Sequence, residues 1–538
     1  MPVKRIFRRL RPKNRRPSQS ELEPPRRSPE RASRASRGKK RSLADLAQAL
    51  EAQFRGADDV IFRRFRLGKT KRCTVVFVSG MIDPARIEQS VIEPLSRWGE
   101  EQGPDASGEP LQSLREIAER ALTSAEVELV DDFEKACNAL MAGDVILALE
   151  GQYAGLAVTN RGGKARDVQP PLLEVTIRGP QDSFTETLSC NIALVRRRIR
   201  DPRLRVQMRT LGRRSRTPVA LLSIEGVTPQ SLVNEVNSRL DGVDIDGVLD
   251  TGYIEHLIED AWWSPFPQHL KSERPDKAAA ALLEGRAVLL AEGTPFALMM
   301  PATLDALFHT PEDSYDRWLP VNLLRFVRFV ASLMSISLPG LYVALTAYHP
   351  GILPIQFLLR AAAAREGVAF PVLVEALLMQ FFLELIREAG FRVPSPIGQT
   401  FGIVGGIILG QVGVQAGIVS EAMVIVVSAT AISSFAVVDR ELGTVLRLLG
   451  LPVMLFAALL GLPGMVMAFL LIVIHLTTLR SYGVPYVAPY PYYRWSDLED
   501  SLAKAPIQAM QLRPSHLGAG NRRRLRKNKR QPVSGEDT

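Results

Sequence analysis

The sequence predicts an α/β soluble domain made of two subdomains, followed by an α-helical polytopic membrane domain of about four to six spans. Apolar and charged residues make up 46% and 23% of the 538-residue chain, but they are segregated. Charges are dense before residue 320 and sparse between Leu323 and Leu479, where several apolar runs approach the roughly 20 residues that a bilayer span needs. Before residue 320, strand-like and helix-like segments alternate, as is typical of α/β proteins.

Basic segments occupy both ends of the chain, which has a net charge of +10. Residues 1–41 are rich in Lys, Arg, Ser and Pro, and the run "NRRRLRKNKR" at 521–530 resembles them. Such segments bury too little apolar surface to form a core, so we predict that they are disordered. No apolar stretch follows the first basic residues, which argues against a signal peptide and keeps the first 320 residues in the cytosol. The tails then either hold the termini on the cytoplasmic side or bind anionic lipid headgroups; no folded motif or aromatic pattern predicts nucleic-acid binding.

The soluble region divides into two α/β subdomains, at 42–165 and 166–320. In the first, "CTVVFVSGMID" has the pattern of a buried strand and "ARIEQSVIEPLSRW" that of the helix after it. A second set of strands and helices begins near Leu173, after the glycine-containing break "NRGGKARDV".

Catalytic and metal-binding patterns are absent from the soluble sequence. It has no phosphate-binding loop of the G-x-x-x-x-G-K-[ST] type. His256 lies among acidic residues in "YIEHLIED", which favours a solvated helix face over a metal site. Cys73, Cys137 and Cys190 are far apart without metal-ligand spacing and predict free thiols. We therefore expect no catalytic residue, no cofactor and no metal, and a protein that is not an enzyme.

The membrane domain, 321–482, contains six apolar segments before a cytoplasmic basic tail at 483–538. They lie at about 326–348, 369–388, 396–419, 421–438, 446–461 and 463–480. Pro463 separates the last two, so these form separate spans, one bent helix or a re-entrant pair. If all six cross, nearly every arginine cluster between them lies inside, as the positive-inside rule requires. This arrangement predicts a multi-pass membrane protein with both termini cytoplasmic.

Polar residues interrupt the second apolar segment at Glu375 and Gln380. A charge at the middle of a bilayer costs on the order of 3 kcal/mol, so such residues are candidates for a functional role. We assign both as candidate pore-lining residues.

Glycines recur through the third apolar segment, "FGIVGGIILGQVGVQAGIV" at 401–419. On a continuous helix one face of about 80° would carry a set of them, namely Gly402, Gly406, Gly410, Gly413 and Gly417. The opposite face would carry the polar residues Thr400, Gln411 and Gln415. We predict that the glycine face packs against another helix and that the polar face lines an ion path. Ordinary packing within one chain, with the glutamines bonded inside the bundle, explains the pattern equally well.

Several longer segments resemble the A subunit of the GerA-type spore germination proteins. They include "RGPQDSFTETLSCNIALVRRRIRDPRL" (178–204), "TGYIEHLIEDAWWSPFPQHLKSERPD" (251–276) and "HLTTLRSYGVPYVAPYPYY" (475–493). The resemblance runs in order over about residues 43–515. It implies a subunit of a nutrient germinant receptor in the spore inner membrane, which acts with a transporter-like B subunit and a lipoprotein C subunit.

The resemblance also implies a mechanism, in which the A subunit oligomerises into a ligand-gated ion channel that triggers spore germination. An accessory germination protein of the SpoVAF-like paralogue class is an alternative, which neighbouring B and C subunit genes would argue against. A secondary transporter is a third possibility; it predicts an internal repeat with broken helices in matching positions, and we see no repeat.

Overall fold

The computed structural model describes residues 45–67, 71–101, 114–122, 126–160, 170–171, 173–392, 406, 408–490, 497–501 and 503–525. The basic segment 1–41 lies outside the described residues, and so does the part of the C-terminal basic run beyond residue 525.

A five-stranded antiparallel sheet forms the first half of the soluble region, with strand order β1-β2-β4-β5-β3. Its strands are Val60–Leu67 (β1), Lys71–Val78 (β2), Val127–Val130 (β3), Val145–Leu149 (β4) and Gly155–Val158 (β5). Its helices are Leu46–Gln53 (α1), Pro84–Ile87 continued through a π-helical turn Glu88–Ile92 into Glu93–Glu101 (α2), a π-helical turn Ile117–Ala121, and Phe133–Ala142 (α3). Every residue of β4 and β5 is buried, because apolar cores lie on both faces of the sheet.

A second five-stranded antiparallel sheet follows, with order β6-β7-β9-β10-β8. Its strands are Leu204–Leu211 (β6), Thr217–Ile224 (β7), Leu270–Ser272 (β8), Ala287–Ala291 (β9) and Ala297–Met300 (β10). Its helices are Leu188–Arg198 (α4), Gln230–Asp241 (α5), Thr251–Ile258 (α6) and Pro275–Glu284 (α7). The α/β prediction is confirmed, and Cys73, Cys137 and Cys190 are free.

The two halves are structural repeats of one another. Both sheets use the same strand order, and in each a helix precedes the last two strands, β4 and β5 or β9 and β10. Helix α3 matches α7 in length, and the glycines that end them, Gly143 and Gly285, both adopt the left-handed conformation. This repeat lies in the soluble region and its described residues contain no broken helix pair, so it differs from the repeat that a secondary transporter predicts. Nine of the 26 residues at 133–158 are identical to the residues 142 positions later, at 275–300, so part of the repeat is also present in the sequence.

The remaining helices form a bundle after two short helices. They are Leu304–Leu307 (α8), Pro311–Tyr315 (α9), Trp318–Ala347 (α10), Ile355–Ala363 (α11), Val372–Arg392 (α12), a π-helical turn Ile408–Val412 continued into Gly413–Gln415 (α13), Glu421–Phe435 (α14), Arg440–Leu460 (α15) and Leu462–Thr478 (α16). A short hairpin, Arg480–Ser481 (β11) with Val484–Pro485 (β12), follows the last helix.

Two helices among the described residues, α10 and α15, are long and apolar enough to cross a membrane, and α14 and α16 are shorter apolar helices. The predicted count of four to six spans therefore stays a prediction. Helices α15 and α16 are separate elements rather than one bent helix, because Gly461 adopts a left-handed φ of 68° between them.

Small residues bring the helices of the bundle close together. Gly340 of α10 lies against α15, where a Cβ atom on this glycine would be 3.3 Å from Met454 Cα. Glycine allows backbones to approach in this way. This contact between α10 and α15 uses a glycine outside the predicted glycine face.

Candidate functional site

Glu375 is completely buried in the bundle, in the first turn of α12. Its Oε1 accepts two hydrogen bonds from Ser420, one from the backbone N–H at 2.6 Å and one from the side-chain hydroxyl at 2.5 Å. Ser420 caps the start of α14, and its hydroxyl also accepts from the backbone N–H of Met423. A carboxylate near a helix N-terminus is favoured by the helix dipole. Glu375 therefore joins α12 to α14.

The second oxygen of Glu375 belongs to a group of buried polar atoms without a hydrogen bond. Among the residues that the structure describes, Glu375 Oε2, the Tyr342 hydroxyl and Arg365 Nη1 lack a partner of normal geometry. The Tyr342 hydroxyl lies near the side chains of Glu375, Arg365 and Ser420, so these residues form a cluster. Buried polar atoms are ordinarily satisfied by protein or water, so the cluster is suited to hold water or to change partners.

The predicted pore-lining residues do not all reach this cluster. Gln380 is half-buried on α12, whereas Gln411 and Gln415 are exposed. Gln415 lines an open depression of about 340 Å³ that also includes Gly367, Val368 and Glu421. Thr400 lies outside the described residues.

The predicted glycine face is only partly continuous. Gly406 and Gly410 have open surroundings, since no described atom lies within 4 Å of an added Cβ. Gly413 begins the short helix Gly413–Gln415, and Gly402 lies outside the described residues. Gly417 is not part of the helical face: it follows the helix with a left-handed φ of 65°, and its carbonyl accepts from the backbone N–H of Ala369. The prediction placed it on a continuous helix, but the chain turns there to reach α14.

A charged junction connects the second sheet to the start of α15. Lys271 Nζ lies 2.5 Å from Glu255 Oε2 and 2.5 Å from Glu441 Oε1 of α15. Burial raises the pKa of Glu255 to about 7, although Lys271 opposes this shift. The neighbouring His269 is buried, which lowers its pKa to about 3. Lys271 is held between two carboxylates, one on each side of the junction.

A second junction fixes the start of α10. Asp313 accepts from Arg325 Nε at 3.2 Å and from Arg328 Nη1 at 2.8 Å. Arg325 also donates to the Asp500 carboxylate at 2.9 Å and to the Ser501 carbonyl at 2.6 Å. Burial would raise the pKa of Asp313, but Arg328 and then Arg325 lower it below its ordinary value. The segment after α16 thus contacts the start of α10.

The described residues contain no group of three or more His, Cys, Asp or Glu side chains that could hold a metal ion. Apolar periodicity did not identify Ser420, Tyr342 or Arg365 as partners of Glu375, since they are distant in sequence. One local signal was present: Ser420 followed by Glu421 and an apolar run is the pattern of a helix start.

Comparisons with known proteins give consistent matches over most of the chain. The profile of the family described as "Bacillus/Clostridium GerA spore germination protein" matches residues 48–516. Spore germination protein GerLA of Bacillus cereus is 36% identical over 88% of this chain and 96% of that protein. Spore germination protein B1 of Bacillus subtilis (strain 168) is 38% identical over 85% of this chain and 93% of that protein.

Among solved structures, the N-terminal domain of the A subunit of the Bacillus megaterium spore germinant receptor GerK3 is 30% identical. The match covers 48% of this chain and 93% of that domain, with a TM-score of 0.37.

Proposed function

The chain belongs to the GerA family of spore germination proteins, and from this premise we propose that it is the A subunit of a nutrient germinant receptor. Its relatives carry the name of spore germination proteins across both the sheet region and the helical bundle. In this proposal the protein lies in the spore membrane and acts with a B subunit and a lipoprotein C subunit. It has no catalytic role of its own.

The proposal extends to a homo-oligomer that conducts ions when the receptor binds its nutrient. The observation that supports this step is that no described atom lies within 4 Å of a Cβ added to Gly406 or Gly410, next to the exposed side chains of Gln411 and Gln415. Small residues without neighbours within the described chain leave room for a helix of another copy. Polar side chains on the same short segment would then line the path between copies.

The test uses two classes of variant in a spore-forming host. Gly406→Leu and Gly410→Leu place a large side chain in the proposed contact between copies, so we expect loss of the oligomer recovered from membranes. Gln411→Ala and Gln415→Ala leave that contact intact, so we expect assembly to persist while cation release after nutrient addition changes in rate or selectivity. Gly390→Leu is the matched control. No described atom lies within 4 Å of a Cβ added to this helical glycine, and it lies outside the predicted glycine face.

Two results would contradict the proposal. Normal assembly of both glycine variants would show that this face does not join copies. Unchanged ion release in the glutamine variants would remove them from the path and leave Glu375 and Gln380 as the candidates to examine. If this protein supports germination in a host that lacks B and C subunits, the SpoVAF-like accessory class would be the better assignment.

Topology is a separate part of the proposal. We expect several spans and both termini in the cytoplasm, because the arginine clusters fit that arrangement. Cysteines introduced at positions 42 and 534 should resist an impermeant thiol reagent in intact cells. Labelling of either one would contradict the arrangement.

A further inference from the structure

Two adjacent tryptophans in the second half of the soluble region are unusually exposed. Trp262 and Trp263 lie in the loop between α6 and β8 and are 81% and 64% accessible. Tryptophan is highly buried on average in soluble proteins, so two neighbouring indoles in water are unfavourable unless something covers them.

The loop is fixed at the end of the last apolar helix. The Ser264 hydroxyl lies 2.9 Å from Nε2 of His475, and the Trp263 ring lies 4.9 Å from the His475 ring, centroid to centroid. His475 is in the last turn of α16. Trp262 and Trp263 therefore sit at the level where an apolar helix ends and the sheet region begins.

An exposed apolar face of α16 ends at the same level as the two tryptophans. Val466, Leu470 and Ile474 are exposed along this helix, so an uncovered apolar face runs towards the tryptophans. The start of α10 has a similar composition, with Trp318 and Leu319 exposed. Both apolar faces thus end beside tryptophan side chains.

Cations accompany these aromatic residues. Arg317 precedes α10 and Arg480 follows α16, and both are exposed. Tryptophan is enriched at the boundary between lipid and water, and arginine at such positions reaches lipid headgroups.

We propose that Trp262 and Trp263 insert into the headgroup region of the cytoplasmic leaflet and hold the second half of the soluble region against the membrane surface. The partner is a phospholipid surface, because lipid that covers the apolar face of α16 reaches the level of these indoles. The proposal rests on the proposed function in one respect, namely that the helical bundle lies in a membrane.

Lipid-specific fluorescence quenching tests the proposal on the full-length protein. The protein is reconstituted into phosphatidylglycerol and phosphatidylethanolamine vesicles, with bromine on the acyl chains either near the headgroup or near the chain end. In one variant Trp98, Trp263, Trp318 and Trp495 are replaced by Phe, so that only Trp262 emits. A matched control retains only Trp98, which is half-buried in the first sheet half.

We expect shallow bromine to quench Trp262 more strongly than deep bromine does, and neither to quench Trp98. Equal emission of Trp262 with and without bromine, in protein that floats with the vesicles, would overturn the inference and leave the membrane proposal intact. Burial of Trp262 against a second copy or another subunit would give that result. Failure of the protein to float with the vesicles would overturn both proposals.

A single-site comparison covers the case in which the multiple replacement fails to fold. Wild-type protein and the Trp262→Phe variant are measured in the same vesicles, and their difference isolates Trp262. Loss of the shallow-quenched component in the variant is the expected result; identical quenching of the two proteins would contradict the proposal.

Discussion

The two halves of the soluble region share a fold but differ in their neighbours. Each half has a five-stranded sheet of the same order, and α3-β4-β5 matches α7-β9-β10 element for element. The same number of residues separates Phe133 from Pro275, Val145 from Ala287, and Gly155 from Ala297. The two halves therefore share both the order of these elements and their spacing along the chain.

The second half is the one joined to the helices. Its cores include Leu479, Tyr482 and Tyr486 from the segment after α16, and Leu442 from α15. The cores of the first half contain no described residue beyond Ala193. Two copies of the same fold thus have different positions: the second packs against the helices and the first shares no described core residue with them.

A buried ion pair connects the halves. Arg196 of α4 donates to both carboxylate oxygens of Asp59, at 2.7 and 2.8 Å, and the two side chains are almost completely inaccessible.

The largest effect on this comparison should come from Arg196→Met. It leaves the Asp59 charge buried without its partner, which typically costs about 3–5 kcal/mol. We expect hydrogen exchange to rise in β1 to β5 and to change little in β6 to β10, because the second half keeps its contacts with the helices.

The double variant Arg196→Met with Asp59→Leu is the control. Removing both charges often restores stability, so protection of the first half should largely return. Equal loss of protection in both halves of the single variant would show that they unfold as one unit.

Ser481→Ala should have a smaller effect, confined to the second half. The Ser481 hydroxyl is buried, donates to the Gln268 carbonyl at 2.8 Å and accepts from the Ala302 backbone N–H at 3.0 Å. Leaving such groups unsatisfied costs about 1–3 kcal/mol. Faster exchange at Ala302 with unchanged exchange in β4 would agree, whereas a change in the first half would contradict the assignment.

Gly143→Ala and Gly285→Ala compare equivalent positions directly. Both glycines have a left-handed φ, 94° and 107°, where a side chain costs about 1–2 kcal/mol. At Gly285 an added Cβ would also lie 3.2 Å from the Ala519 Cβ, whereas at Gly143 the nearest atom is the flexible Met81 Cε at 3.4 Å. We expect the lower melting temperature for Gly285→Ala, and the reverse order would show that the C-terminal segment does not constrain the second half.

The last comparison concerns pH. Burial raises the pKa of Glu255 from 4.5 to about 7, so the folded protein retains this proton at a pH where the unfolded chain has lost it. Its contribution to stability is complete below 4.5 and is lost as pH rises towards 7. Glu255→Gln should therefore flatten the fall in melting temperature over that interval, whereas Glu134→Gln, exposed in the first half, should not. An unchanged slope in Glu255→Gln would assign the dependence to another group.

Long apolar runs specified much of the helical bundle in advance. The runs at 326–348, 369–388 and 421–438 correspond to α10, α12 and α14, because a run of that length and periodicity has few alternatives to a helix. Helix ends were less predictable, since α10 begins eight residues earlier, at Trp318, within a segment that still contains arginines.

By itself, the sequence determined the division into soluble and apolar regions, the alternation of strands and helices, and the family to which the chain belongs. These features are local, because charge, periodicity and motif order are read along the chain. Only the tertiary structure decided that the two sheets have the same strand order, that Glu375 bonds to Ser420, that Gly417 leaves its helix, and that Trp262 and Trp263 lie beside the end of α16. Each of these depends on contacts between distant segments, whose geometry is fixed by packing and by hydrogen bonds that no local pattern records.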